Sequence, residues 1–571
     1  MKNISSLGGK RKFLVKNQEL SRRDFLRLLA WGTLGMATSG GVGSFLVGCS
    51  SDTSTSEGSA SQAGEVKTNQ TADLEIVLRV EPGEVQIQPG KPTAIWHYQG
   101  EVLSGDATAL LALPGSYLGP VIRVTQGQRI RVHLENQVGE PTIVHWHGLL
   151  VPPEMDGHPK DAIQPGEEYV YEFEVRNRAG TYWFHPHPHT LTGPQVYRGL
   201  AGLFLVSDEE EAASGLPSGE FDLPLVIQDR TFDRNNQLVY LPNGMMDRMM
   251  GFLGDQILVN GQLDFILSAA RQPYRLRLLN GSNSRIYKLA WQDRTPLTVI
   301  GTDAGLLERP IQRSYVTLGP AERVELWVDF AHWSVGQSVH LVSLPFSGAS
   351  MEGMIGPGGM MGPGGTTSSV LINGSEFPVL TAKIERDGEE TEAVPQQLST
   401  IERYSERDSV NANNPRLFLL GMAGMGGMMG RSGGMGMGWT INGRVFEMEE
   451  VAQDEIVHLN TQETWLYDNS GSGGGMGMMG GGMMQMAHPM HVHGVHFKVV
   501  DRQVLPAFEE AWDSVREGYV DEGLKDTVLV MPGEQVKILL RFQDFPGMYL
   551  NHCHNLEHED MGMMRNYRID P

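Results

Sequence analysis

Cysteine is almost missing from this sequence. Its 571 residues contain two, Cys49 and Cys553. At most one disulfide can form, which rules out a disulfide-stapled scaffold, and a Cys-rich zinc or iron–sulfur protein is excluded as well. Positive charge is also scarce: 45 Lys and Arg stand against 68 Asp and Glu, a net −23. Eight of those basic residues lie in the first 48, so the remainder carries 37 basic and 66 acidic residues, a net −29. Such a surface repels nucleic acid and anionic lipid and attracts cations; no nucleic-acid partner is expected. Beyond the N-terminal segment no apolar run is long enough to span a bilayer. Helical periodicity is rare, with Ala507–Glu517 as one short candidate.

Residues 1–48 read as a targeting segment. A basic start (Lys10, Arg11, Lys12, Lys16) leads to SRRDFLR, where Arg22 and Arg23 precede Phe25 and Leu26. A weakly apolar stretch rich in Gly, Ser and Thr then ends in Leu46-Val47-Gly48-Cys49. This resembles a twin-arginine signal joined to a lipoprotein cleavage box. The resemblance implies export of an already folded protein to the periplasmic or extracellular face, with a lipid on Cys49 as the one membrane link. Residues 49–72 read as a flexible tether rich in Ser, Thr and Gly.

From residue 73 the dominant pattern has period two. Ile130, Val132 and Leu134 alternate with Arg129, Arg131 and His133, and Tyr169, Tyr171, Phe173 and Val175 share one face. Similar runs occur at 274–282, 321–330 and 534–542. Short alternating strands between Gly, Pro and Asn turns predict an all-β fold of antiparallel sandwiches. Polar stretches near 208–219 and 384–412 read as linkers. The expectation is three sandwich domains, at 73–208, 220–383 and 412–571.

Histidine and methionine are abundant. Twelve of eighteen His fall in four clusters: HWHG (145–148), HPHPH (185–189), HPMHVHGVH (488–496) and HCHNLEH (552–558). In a strand, residues i and i+2 point the same way. His145 and His147 can therefore converge while Trp146 turns away, and so can His185 with His187 and His491 with His493. Imidazole suits copper, zinc, iron and nickel. In the fourth cluster His552 and His554 face one way and Cys553 the other. A thiolate, two imidazoles and a distant thioether are the ligands of a blue-copper electron-transfer centre. Cys553, His558, His488 and Met563 supply that set.

These four clusters, in this order, resemble those of the multicopper oxidases over essentially the whole mature chain. The resemblance implies three cupredoxin-like Greek-key β-sandwich domains and four copper ions. It assigns a type 1 copper to His488, Cys553 and His558 with Met563 axial. A type 2 copper falls to His145 and His491, and a type 3 pair to His147, His185, His187, His493, His552 and His554. It implies that substrate gives up electrons singly at the type 1 copper and that O2 is reduced to water at the other three, clamped between the first and third domains. Asp156, in MDGHP, and Glu559, after His558, match acidic positions the family uses to carry protons. His189 and His496 fall outside the ligand pattern.

Twenty-three of the thirty Met fall in five clusters, at 245–250, 351–361, 422–437, 476–486 and 561–564. Most of these segments are Gly-rich and lack the periodicity of a core. Thioether is a soft ligand that selects Cu(I). Together with GFLGDQILVNGQ (251–262) and LRLLNGSNSR (276–285), the Met tracts resemble the bacterial copper efflux oxidases. That subgroup has an acidic residue four positions before the first type 1 His; here the position is Met484, and Met486 keeps its Met. Met484 and Met486 are the expected substrate-copper residues. The expected substrate is Cu(I); phenols and aromatic amines, as in laccases, are the alternative, and a copper-buffering surface protein is the non-enzymatic one. A monomer is expected.

Overall fold

The computed structural model describes residues 71–349, 371–388, 393–422, 438–471 and 485–571. The targeting segment, Cys49, Met484 and most of the Met tracts at 351–361, 422–437 and 476–486 lie outside these residues. Among the described residues no helix is long and apolar enough to cross a membrane.

Among the described residues six sheets form three pairs, each around its own core. In the first pair, strands Leu74–Val85, Thr93–Ser104, Arg129–Asn136 and Glu168–Glu174 make one sheet. Val121–Thr125, Val144–His147, Gly180–Pro186 and Gly202–Ser207 lie in the other, and Ile76, Val132 and Tyr171 pack with Ile122, Trp146 and Phe184 between them. The second pair, between Asp222 and Asp387, joins a seven-stranded to a five-stranded sheet over Leu276, Leu326, Trp291 and Leu341. The third, between Arg416 and Asp570, joins two five-stranded sheets over Trp465, Ile538, Met490 and Val528.

Local sequence explains the strand ends. Asn260-Gly261 and Asn442-Gly443 both have two successive positive φ angles (50° and 74°, 54° and 71°). Such pairs make two-residue hairpin turns, and Asn and Gly tolerate them best. The sheets are not purely antiparallel as expected. Each contains one parallel pair, for example Leu74–Val85 with Arg129–Asn136 and Arg416–Met422 with Thr461–Asp468. A Greek-key chain that crosses between two sheets returns in the same direction, and parallel neighbours result.

Three further expectations need correction. The single helix sought at Ala507–Glu517 is a five-residue helix, Glu509–Asp513, flanked by 3-10 turns at Pro506–Phe508 and Arg516–Gly518. The stretch near 208–219 is not wholly a linker: Asp208 caps a helix over Glu209–Ala213 by accepting from the Glu211 N–H at 2.8 Å. The strand Phe377–Asp387 also runs four residues past the boundary drawn at 383.

Candidate metal centre

Each His-x-His pair sits at the end of a core strand. Trp146 points into the core of the first sandwich and is fully buried, so His145 and His147 emerge together on the opposite face. Strand Val144–His147 pairs with Gly180–Pro186 in a register that sets His145 beside His185. In the third sandwich, His488–Val492 pairs with Gly547–Cys553 and sets His491 beside His552. Four strand ends from the two ends of the sequence thus bring eight imidazoles together, and all eight are at most 1% exposed.

The donor nitrogens face each other at short range. His145 Nε2 lies 3.3 Å from His491 Nε2, and the back nitrogens of these two rings are held by the carbonyls of Asp156 (2.7 Å) and Asp526 (2.8 Å). His552 Nε2 is 3.0 Å from His493 Nε2 and 3.4 Å from His187 Nε2. His185 Nε2 is 3.4 Å from His554 Nε2, and the His147 ring stands 5.0 Å from that of His554. Burial pushes His185 down to about 4 and His187 to about 3, and the others shown to shift also move down. Neutral imidazole is the form that binds a metal.

On the other side of the Cys553 backbone lies a second group. Cys553 Sγ is 3.4 Å from His488 Nδ1 and 3.8 Å from His558 Nδ1, and those two nitrogens are 3.3 Å apart. Met563 is fully buried in the same core; its carbonyl accepts from Cys553 N and its N–H donates to the His558 carbonyl, both at 3.0 Å. Burial pushes the Cys553 thiol well up, so a thiolate there needs a cation beside it.

Both sequence-singled carboxylates are buried against the His cluster. Asp156 Oδ2 accepts from His493 Nδ1 at 2.7 Å, and burial raises its carboxyl well above the usual range. Glu559 lies 3.2 Å from His552 Nδ1 and 3.6 Å from His187 Nε2. Met486, by contrast, is buried in the third core with Cys553 and Met563, and its carbonyl accepts from Asn469.

The donor set suits first-row metal ions. Donor atoms drawn from His145, His147 and His185, from His187, His493 and His552, and from His488, Cys553 and His558 lie within 4.8 Å of one another in each trio. Among the described residues, buried His147 Nδ1 has no hydrogen-bond partner, a cost that metal ligation would remove; the far nitrogens of His187 and His554 (Nδ1) and of His488 (Nε2) also have none, a cost that ordered water would remove. Two nitrogens each about 2 Å from one ion at a near-tetrahedral angle stand about 3.3 Å apart, the spacing seen here.

Models of the multicopper oxidase family match residues 94–211 and 422–571. The chain is 30% identical to the multicopper oxidase mco of Staphylococcus aureus over 82% of this chain and 86% of that one. It is 31% identical to the bilirubin oxidase of Albifimbria verrucaria, over 86% and 80% respectively. Its fold is similar to that of the McoA multicopper oxidase of the hyperthermophile Aquifex aeolicus, with a TM-score of 0.68, 32% identity, and 88% and 97% of the two chains covered. This chain belongs to the multicopper oxidases. It is an oxidoreductase of three cupredoxin-like sandwiches, and four copper ions are its cofactors.

The multicopper oxidase also relies on residues that the sequence reading passed over. Glu557 is buried and accepts from Tyr240 Oη (2.7 Å), Asn283 Nδ2 (2.9 Å), Phe252 N (2.9 Å) and Ser284 Oγ. Asp560 accepts from the backbone N–H groups of Thr192 and Gly193. These bonds fix the five-residue helix Leu556–Asp560, which carries His558 and Glu559, to the other two sandwiches. Asp526 accepts from His147 Nε2 at 3.0 Å. In the sequence these acids read as turn or surface residues; only their tertiary partners distinguish them.

Proposed function

We propose that this oxidase couples one-electron oxidation of Cu(I), outside the cytoplasm, to four-electron reduction of O2 to water. His488, Cys553, His558 and Met563 hold the type 1 copper. His145 and His491 hold the type 2 copper, and the remaining six clustered His hold the type 3 pair. Bound copper supplies one-electron redox capacity, and four ions match the four electrons that O2 requires. The protein supplies the connection: Cys553 is bonded through its backbone to His552 and His554, so one short covalent path joins the two groups of ligands. Asp156 and Glu559 hold and pass protons at the carboxylate oxygens facing His493 and His552.

One observation carries the Cu(I) reading. His488 and His558 are fully buried, Trp439 lies over the His558 ring at 4.3 Å, and His558 Nε2 donates to the Met249 carbonyl at 3.1 Å. An aromatic substrate has no bare imidazole edge to press against among the described residues. Met249 belongs to the helix Met245–Met250, whose Met245 and Met246 are 54% and 42% exposed. Two soft thioethers at the surface, one turn from the Met249 carbonyl that His558 bonds, suit Cu(I). The twin-arginine-like segment supports a location where Cu(I) must be handled outside the cell interior.

Steady-state O2 uptake with Cu(I) and with a phenol tests this on the intact protein. The same assay is run on Met245→Leu/Met246→Leu and on a variant lacking 423–437 and 472–484. Cu(I) turnover is expected to exceed phenol turnover and to fall in both variants. Phenol oxidation that is faster and indifferent to added Cu(II) and to both changes would establish the laccase reading instead.

A further inference from the structure

We propose that Asp526 and Arg323 are positioning residues of the three-copper site, through which the second sandwich, which contributes none of the clustered His, sets the geometry of that site. Asp526 is fully buried. Its Oδ1 accepts from His147 Nε2 at 3.0 Å, from Thr527 Oγ1 at 2.9 Å and from Arg323 Nη1 at 2.8 Å. Its Oδ2 takes the second arm of the same guanidinium. Its backbone carbonyl accepts from His491 Nδ1 at 2.8 Å. One residue therefore grips a His of the first sandwich and a His of the third.

The tautomer of His147 follows. With Nε2–H donated to Asp526, Nδ1 is the free nitrogen, and it is buried with no hydrogen-bond partner among the described residues. A carboxylate on the far nitrogen of a ligating imidazole orients the ring and raises its basicity. Arg323 limits that push by sharing the carboxylate. It is itself fully buried, and it comes from strand Arg323–Asp329 of the second sandwich. Its Nε donates to the Thr181 carbonyl of the first sandwich at 3.0 Å, and its Nη2 to the Asp303 carbonyl at 2.7 Å. All three sandwiches thus meet at one carboxylate, one hydrogen bond from a cluster His. The glycine of HWHG belongs to the same arrangement: Gly148 has φ +86°, and a Cβ there would strike Asp526 Oδ2.

The holoenzyme tests this by copper content and spectra. In Asp526→Asn the type 2 and type 3 copper should bind about 10–100-fold more weakly, with the type 2 resonance and the type 3 near-ultraviolet band falling together while the blue band stays. Arg323→Lys keeps the charge but not the fork; it should shift the type 2 resonance parameters at unchanged blue intensity. The double variant Asp526→Asn/Arg323→Gln removes the uncompensated charge and should recover the melting temperature without recovering copper affinity. Wild-type affinity in Asp526→Asn, an unshifted resonance in Arg323→Lys, or affinity that returns together with stability in the double variant would overturn the proposal. So would loss of the blue band along with everything else in all three, which would mean the residues serve the fold alone.

Discussion

Asp156 stands between two roles that a carboxylate can play beside an imidazole. Its side chain accepts from His493 and its carbonyl from His145, so it both orients ligands and holds a titratable oxygen against the cluster. Asp156→Asn keeps the shape and the carbonyl contact but removes the proton carrier. O2 turnover is expected to drop about 10²–10⁴-fold, the scale of a lost general acid–base group, while the blue absorption stays intact. Loss of the blue band would instead show that Asp156 serves the fold of the type 1 site. Cys553 presents the complementary case: its Sγ takes a hydrogen bond from Asn555 N at 3.4 Å, and Asn555 also caps the helix that carries His558. The thiolate environment and the position of the second imidazole are therefore set by the same residue.

At the scale of elements, the helix Leu556–Asp560 is too short to persist by its own propensity. Glu557 and Asp560 anchor it. Glu557→Ala strips an acceptor from three buried donors and from the half-buried Tyr240 hydroxyl and is expected to cost about 2–5 kcal/mol; a thermal melt of the copper-loaded protein checks it, and an unchanged melt would remove the anchoring role. A second element prediction concerns pH. His133 bridges three neighbouring strands, bonding Glu168 at 2.6 Å and Glu75 at 2.9 Å. Burial lowers its pKa, but the two carboxylates outweigh burial and the net shift is upward. The His133 contribution is then fully present below the unfolded value near 6.5 and is lost as pH rises through the folded one. His133→Gln should lower the melting temperature at pH 5.5 and leave it nearly unchanged at pH 9, by well under about 1 kcal/mol because the pair is partly screened. An equal effect at both pH values would refute the linkage.

The strands themselves were legible because alternation follows from the pleat. Ile130, Val132 and Leu134 are buried as their spacing requires. What alternation misassigned is the second face. Arg275, Arg277, Arg323 and Glu325 occupy positions that read as solvent-facing, yet they are at most 3% exposed. Packing between sandwiches covers that face, and the charges survive there by pairing: Arg277 with Asp222 and Glu211, Arg275 with Glu325. The His and Cys clusters were legible because metal chemistry needs several rare ligands at fixed spacing. Asp526 and Glu557 were not, since a single carboxylate carries no spacing signal. The short Met245–Met250 helix escaped for a related reason, because its bond to His558 spans more than 300 residues of sequence.

For the whole molecule, the clustered His come from opposite ends of the chain: His145 faces His491 across 346 residues. Copper that binds only the assembled form stabilises it by mass action, about 4 kcal/mol for a site at a thousandfold excess over its Kd. Chelation is expected to lower the melting temperature by several degrees and to restore it on reconstitution; an apo form that melts with the holo form would refute this.

Those same facing imidazoles give the molecule a fastening that can be undone. On the proposed ligand assignment, His residues of the first and third sandwiches share ions, so the polypeptide is not the one connection between them. A chain cut once between the second and third sandwiches would keep its two fragments together while copper is present. Stripping the metal would leave the fragments held by non-covalent contacts alone, among them the bond from Ala304 N–H to the Leu524 carbonyl and the buried grip of Arg323 on Asp526. On that assignment copper also does the work that a disulfide does elsewhere, in a chain whose second cysteine lies fully buried beside His488 and His558.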